Sequence, residues 1–341
     1  MNNSVSKKFD PTSLKEIPCT YQDLTNFFAG FKEFNPYALR KETISRIENL
    51  TGRPLICYVT RIHNVPPNLP AYIDDSDLTG FSDLTQTTNG DSLDVFLVSN
   101  GGKPEPTERI VRLIRSKFKN VRFIVPGNAY SAATLLCFSG DEVLMDAQST
   151  LGPVDPQING IPARAILRAF ESIEERLKVE GPKALTAYMP LLQKYDLHVL
   201  ELCKSAQELS KELAGNWLSS YMLKCDDNSD EVEKIVSYFV NFDILKSHGR
   251  SIDRDKAREA GIKVVNIEDI PGLCDLTRSL FNQYILNFER TRFYKLFENA
   301  KGVAWGRLIQ SQTFEFQIPM PQPGPPAPSP LPAPKIQSTT S

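Results

Sequence analysis

Ser131 stands in the run Asn128-Ala129-Tyr130-Ser131-Ala132-Ala133-Thr134, between a strand-like apolar segment and a short helix-like one. At a helix N-terminus, the dipole and free N–H groups stabilise negative charge, which suits a nucleophilic hydroxyl. The small neighbours would let a substrate carbonyl approach. The same placement also suits an ordinary capping serine. A second loop, Ser99-Asn100-Gly101-Gly102, follows another apolar run. Paired glycines turn the chain sharply and expose N–H groups that can bind a developing oxyanion. A plain strand-to-helix turn would use them equally. A third loop, Ser149–Gln157, is stiffened by Gly152, Pro153 and Pro156 and could wall the same cleft or simply turn the chain.

Serine needs a base, because its free hydroxyl is a weak nucleophile at neutral pH. The chain has three histidines, His63, His198 and His248. His248, in Ser247-His248-Gly249-Arg250, carries an imidazole whose ordinary pKa of about 6.5 suits the task. It could instead hydrogen-bond its own loop. Asp155 could orient a histidine or brace its own turn. Lys183 and Lys194 could serve only if burial lowered their pKa; otherwise they are solvated helix charges. His63 and His198 lack supporting context and read as structural. There is no GxGxxG or Walker sequence and no paired His/Cys spacing, so no cofactor and no metal are expected.

These loops require strands and helices to carry them. Residues 54–60 (PLICYVT), 93–99 (LDVFLVS), 121–125 (VRFIV) and 142–145 read as buried strands. Between them, Thr107–Phe118 is amphipathic at helical spacing, and Ser131–Phe138 is a short apolar helix. Runs too apolar for a one-sided sheet, alternating with helices, argue for a parallel α/β core. Helical spacing also marks two helices separated by Pro36 within residues 21–50, one short helix near Asp75–Thr85, and a helix from Ala163 to about residue 180. Helices are further expected across Pro190–Lys224, Asp230–Phe242, Asp253–Ala260 and Leu276–Leu296, with a short strand at Lys263–Asn266.

The 341 residues, 41% hydrophobic and 23% charged, exclude collagenous, coiled-coil and fully disordered classes. A net charge of −2 gives no support for a strongly basic nucleic-acid binder. Nine of the 25 prolines lie between Pro319 and Pro334, a stretch expected to be an extended tail. The six cysteines are irregularly spaced and read as reduced thiols, with Cys57 and Cys137 in apolar runs. No run spans a bilayer and the N-terminus has no signal-peptide core, so a cytoplasmic protein is expected.

In order, strand–GG–helix, strand–small–Ser–small–helix, then strand–loop resembles the Clp protease/crotonase fold. More closely, the chain resembles the serine dehydrogenase proteinase (SDH) family of Clp-fold serine proteinases, relatives of signal peptide peptidase A. The matching pieces are LTGRPLICYVTRIH (Leu50–His63), GDSLDVFLVSNGG (Gly90–Gly102), VRFIVPGNAYSAATLLCFSGDEVLMDAQSTLGPVDPQI (Val121–Ile158) and SHGRSIDRDKAREAGIKV (Ser247–Val264). The resemblance implies a nucleophilic Ser131 and an oxyanion hole from the N–H groups of Gly101 or Gly102 and of Ala132. Family members tend to have Pro where Asn100 stands, Gly where Ala133 stands, and His where Gln148 stands. Clp protease takes its base soon after the third strand, where this chain has no histidine. Signal peptide peptidase A takes a lysine from a later helix, which brings in Lys183 and Lys194.

The expected architecture is a helical extension over residues 1–40, a proteinase domain over 41–275, a helical segment over 276–317, and a tail over 318–341. The expected activity is peptide or protein hydrolysis through an acyl-enzyme at Ser131. The alternative is a catalytically degenerate Clp-fold scaffold or partner-binding protein; a crotonase-type acyl-CoA enzyme has no CoA-specific signature here. Clp-fold proteins usually assemble through helical arms, so the long helices after Pro162 imply a homo-oligomer.

Overall fold

The computed structural model describes residues 10–30, 35–193, 197–224 and 229–309. Lys194, Cys225 and the Pro-rich tail lie outside the described residues.

Local chemistry sets the helix ends. α1 (Tyr21–Ala29) starts at Thr20, whose side chain accepts from the Asp23 N–H. α2 (Pro36–Thr51) starts at Asn35, with proline in the first turn, and stops at Gly52 in the left-handed conformation. The chain then alternates through β1 (Leu55–Thr60), α3 (Asp77–Thr87), β2 (Ser92–Val98), α4 (Pro104–Lys117) and β3 (Asn120–Val125). β4 (Asn128–Ala129), α5 (Ala132–Phe138), β5 (Glu142–Met145) and β6 (Thr150–Leu151) follow. A small hairpin, β7 (Gln157–Ile158) and β8 (Ile161–Pro162), leads into the long helices α6 (Ala163–Glu180), α7 (Leu185–Leu192) and α8 (Leu197–Trp217), which continues as a π-helical turn to Leu223. The remaining elements are α9 (Asp230–Val240), α10 (Phe242–Leu245), β9 (Ile252–Asp253), α11 (Arg254–Ala260), β10 (Val264–Asn266), α12 (Leu273–Arg290), β11 (Phe293–Asn299) and β12 (Ala304–Leu308).

The main sheet has seven strands in the order β10-β5-β3-β2-β1-β11-β12. From β10 to β1 every pairing is parallel; β11 and β12 join antiparallel. β1 is buried at every residue, as a strand covered on both faces must be. Its period of two divides the core. Ile56 and Tyr58 pack with α3, α4, α5 and α9, whereas Leu55, Cys57 and Val59 pack with α2 and α12. The architecture is therefore an α/β fold with a mostly parallel sheet and additional long helices, as expected.

One expectation is corrected. The final helix ends at Arg290, not Leu296, and residues 293–308 form β11 and β12 rather than part of a helical segment reaching 317. The reason is the free edge of β1. Five β11 residues pair with it, from Ile56↔Asn299 to Thr60↔Lys295, so the sheet continues well past residue 275.

Candidate active site

Three loops leave carboxyl ends of adjacent parallel strands: Ser99–Gly102 after β2, Asn128–Ser131 after β3, and Ser149–Asp155 after β5. Open α/β sheets bind ligands at such ends. A second, three-stranded sheet, β4-β6-β9, binds the loops together. β4 runs parallel to β6, and β9 runs antiparallel to β6, pairing Leu151 with Ile252. That pairing brings the His248 loop, distant in sequence, against the Asp155 loop. Tyr130 reinforces it: its hydroxyl bonds Thr150 Oγ1 at 3.1 Å and Ser251 Oγ at 2.9 Å.

Ser131 precedes the first residue of α5 with φ 51° and ψ −119°, a conformation costly for any residue with a Cβ. Its side chain makes no capping hydrogen bond, so the side chain does not cap α5. The strain is held from both sides. Tyr130 N–H donates to Ser99 O at 3.0 Å, and Leu135 N–H to Ser131 O at 3.0 Å. Thr134 clamps the helix to the third loop, donating to Ala129 O at 2.6 Å and accepting from the Gly152 N–H at 3.0 Å. Behind Ser131, Cys137 is fully buried, and burial drives its thiol well above its ordinary value, so it offers no competing thiolate.

The glycine loop lies against Ser131. A Cβ on Gly101, at φ 103°, would stand 2.7 Å from Ser131 Cβ and 2.6 Å from Tyr130 O. The Gly101 N–H donates to Ser99 Oγ at 3.2 Å, which occupies it. Gly102 and Ala132 both line the cleft, and neither N–H has a partner among the described residues. Of the two expected glycines, it is Gly102 that leaves a donor toward the cleft. Asn100, where relatives tend to have proline, accepts from Asn128 Nδ2 at 2.7 Å and so ties the first loop to the second.

The cleft measures about 580 Å³ and is walled by Ser131, His248, Leu135, Val154 and, from α8, Leu202 and Leu209. His248 Nδ1 lies 2.9 Å from Asp155 Oδ1. Asp155 is buried, and its Oδ2 has no hydrogen-bond partner among the described residues. Thus a serine, a histidine oriented by a buried carboxylate, and two unpaired amides share one cleft. Lys183 is not among them: it is exposed on the turn Pro182–Ala184 and does not border the cleft. Lys194 lies outside the described residues. His63 borders a separate, smaller cavity near α12, and His198 is exposed on α8. A second cleft of about 570 Å³ between α6, α8 and α9 includes Arg164, which is committed to Glu171 and Asp243. Its lining shares no residue with the cleft at Ser131. Among the described residues no cluster of His, Cys, Asp or Glu could hold a metal ion, and no helix is long and apolar enough to cross a membrane.

The Asp155 contact was legible only as an alternative, because two-residue strands carry no periodic signal. The only trace was the pairing of a polar Asp with two prolines.

Comparisons with known proteins give the family of the chain. The profile of the ClpP-like SDH-type serine proteinases matches residues 34–228. Two uncharacterized proteins of Methanocaldococcus jannaschii are similar to this chain. MJ1495 is 29% identical over 138 residues, covering 38% of this chain and 47% of that one. MJ0137 is 28% identical over 144 residues, covering 40% and 50%. The chain thus spans about half the length of the curated relatives it matches. Among solved structures, a ClpP1 mutant from Listeria monocytogenes shares 12% identity at a TM-score of 0.35, over 66% of this chain and 98% of that one. A mutant of the 1510-N membrane-bound stomatin-specific protease shares 17% at 0.33, over 57% and 74%. With more than half of its length matched by the family profile, the chain belongs to the ClpP-like SDH-type serine proteinases.

Proposed function

We propose that the protein is a serine peptidase that cleaves peptide or protein substrates through an acyl-enzyme at Ser131. The observation that carries this reading is the His248–Asp155 hydrogen bond in the cleft that Ser131 borders. In this mechanism His248 Nε2 takes the Ser131 proton as Oγ bonds the scissile carbonyl carbon. The Gly102 and Ala132 N–H groups receive the oxyanion. The tetrahedral adduct collapses, the C–N bond breaks, and His248 returns the proton to the leaving amine. Water, deprotonated by the same imidazole, then frees the acyl group and restores the serine. Asp155 holds the tautomer that presents Nε2 and stabilises the imidazolium.

The assignment of the base is tested by the rate of reaction with a fluorophosphonate. His248→Ala is expected to slow it about 10³-fold or more, and Lys183→Ala and Lys194→Ala to leave it unchanged. A collapse of the rate in either lysine variant, with His248→Ala unaffected, would overturn the assignment. We further propose a homo-oligomer assembled through the long helices. Exposed Val179, Met189 and Leu202 on α6, α7 and α8 support it. Light scattering is expected to give a multiple of the 38.3 kDa chain mass, and a monomeric mass would refute it.

A further inference from the structure

Lys295 is fully buried on β11, outside the segment matched by the family profile. Its ammonium lies 2.8 and 3.0 Å from the two carboxylate oxygens of Asp77, also fully buried, and 3.2 Å from Asp74 Oδ2. Asp77 Oδ2 also accepts from the Tyr58 hydroxyl at 2.8 Å and from the Asp74 N–H at 3.0 Å. These bonds fix the turn that precedes α3, and the residue at the head of that turn is Ile73.

Ile73 clasps the glycine loop by its backbone. Its N–H donates to Gly101 O at 2.7 Å, and its carbonyl accepts from the Lys103 N–H at 2.9 Å. The fit has no slack: a Cβ on Gly102 would lie 2.3 Å from Ile73 O. The β11–β12 hairpin also holds α3 and the residue before it. Arg307 donates to Ser76 O at 3.1 Å, Asn299 donates to Thr87 Oγ1 at 2.9 Å, and Gly80 leaves room for the Phe297 ring, which a Cβ would meet at 2.3 Å.

We propose that Lys295 is a positioning residue for the Gly102 amide, acting through Asp77 and Ile73 on the loop beside Ser131. A buried ion pair is weak support for stability, since apolar replacements of similar size are often as stable. What the pair supplies is a fixed geometry, and an oxyanion donor depends on fixed geometry. The inference rests on Ser131 being the nucleophile, and the test separates the two.

The double variant Lys295→Met with Asp77→Asn removes the two fully buried charges together, while the half-buried Asp74 carboxylate keeps its hydrogen bonds from Ser76. Two quantities are measured in the full chain: inactivation by a fluorophosphonate, resolved into KI and kinact, and backbone amide exchange over residues 71–77 and 99–103. The expected result is a fall in kinact of tenfold or more at unchanged KI, with exchange of the Ile73, Gly101 and Lys103 amides at least tenfold faster. Exchange in β3 and α5 stays as in the parent. Unchanged kinact and exchange in the folded double variant would overturn the proposal. If the double variant does not fold, Arg307→Gln loosens the same turn from its outer side. It is expected to reduce kinact about threefold with the same exchange pattern, and its silence in both readouts would equally overturn the proposal. Faster exchange in the double variant, with Ser131 never modified in the parent, would uphold the tether while rejecting the nucleophile.

Discussion

Ser131 occupies a backbone conformation that glycine adopts without cost. Strain of about 1–3 kcal/mol is the usual penalty for a side chain in such a region. Ser131→Gly is therefore expected to raise stability by about 1 kcal/mol, a rise of about 2 °C in Tm, while abolishing reaction with a fluorophosphonate. Thermal unfolding read beside labelling checks both; a fall in Tm would contradict the strain account. Asp155→Asn probes the other end of the relay. With Oδ2 unpartnered, an amide can sit there without breaking a bond, so the fold should persist while the labelling rate falls about 10²–10⁴-fold. Equal loss of Tm and rate would instead assign Asp155 to its own turn. At this scale the residue types alone offered Ser131 as a candidate nucleophile beside an ordinary capping serine, and the oxyanion hole of the Gly101 or Gly102 and Ala132 amides came in with the family resemblance. The choice of His248 over Lys183 was not legible, since it depends on a contact between loops 93 positions apart.

Among the elements, the alternation of β1, β2, β3 and β5 with α4 and α5 could be read directly, because each buried strand is a continuous apolar run. β4, β6 and β9 could not: two residues carry no periodicity, yet these strands join the serine, aspartate and histidine loops. β11 was misread as helix because Phe293, Leu296 and Phe297 fit a helical spacing as well as a strand; the free edge of β1 decides between them. The parallel bridge between Ile73 and Gly102 yields a prediction at this scale. Gly102→Ala would drive its Cβ into the Ile73 backbone, so a loss of about 2 kcal/mol or more is expected by denaturant titration. The loss should be accompanied by faster exchange in residues 71–77. A stable variant with native exchange would contradict the close fit.

In the molecule as a whole, the hairpin that follows α12 completes the core. Buried Glu298 takes a bidentate ion pair from buried Arg40, with both contacts at 2.7 Å, and a hydrogen bond from Tyr284 at 2.8 Å. Ending the chain after Arg290 would leave Arg40 and Asp77 buried without their ion-pair partners Glu298 and Lys295, at about 3–5 kcal/mol each. Such a truncation is expected to abolish cooperative unfolding. A cooperative transition in the shorter chain would show that the hairpin is dispensable. The most direct test of the central claim is peptide mapping by mass spectrometry after reaction with a fluorophosphonate. The adduct is predicted on Ser131 alone and should be absent from Ser131→Ala. An adduct on another residue, or one that survives in Ser131→Ala, would contradict it.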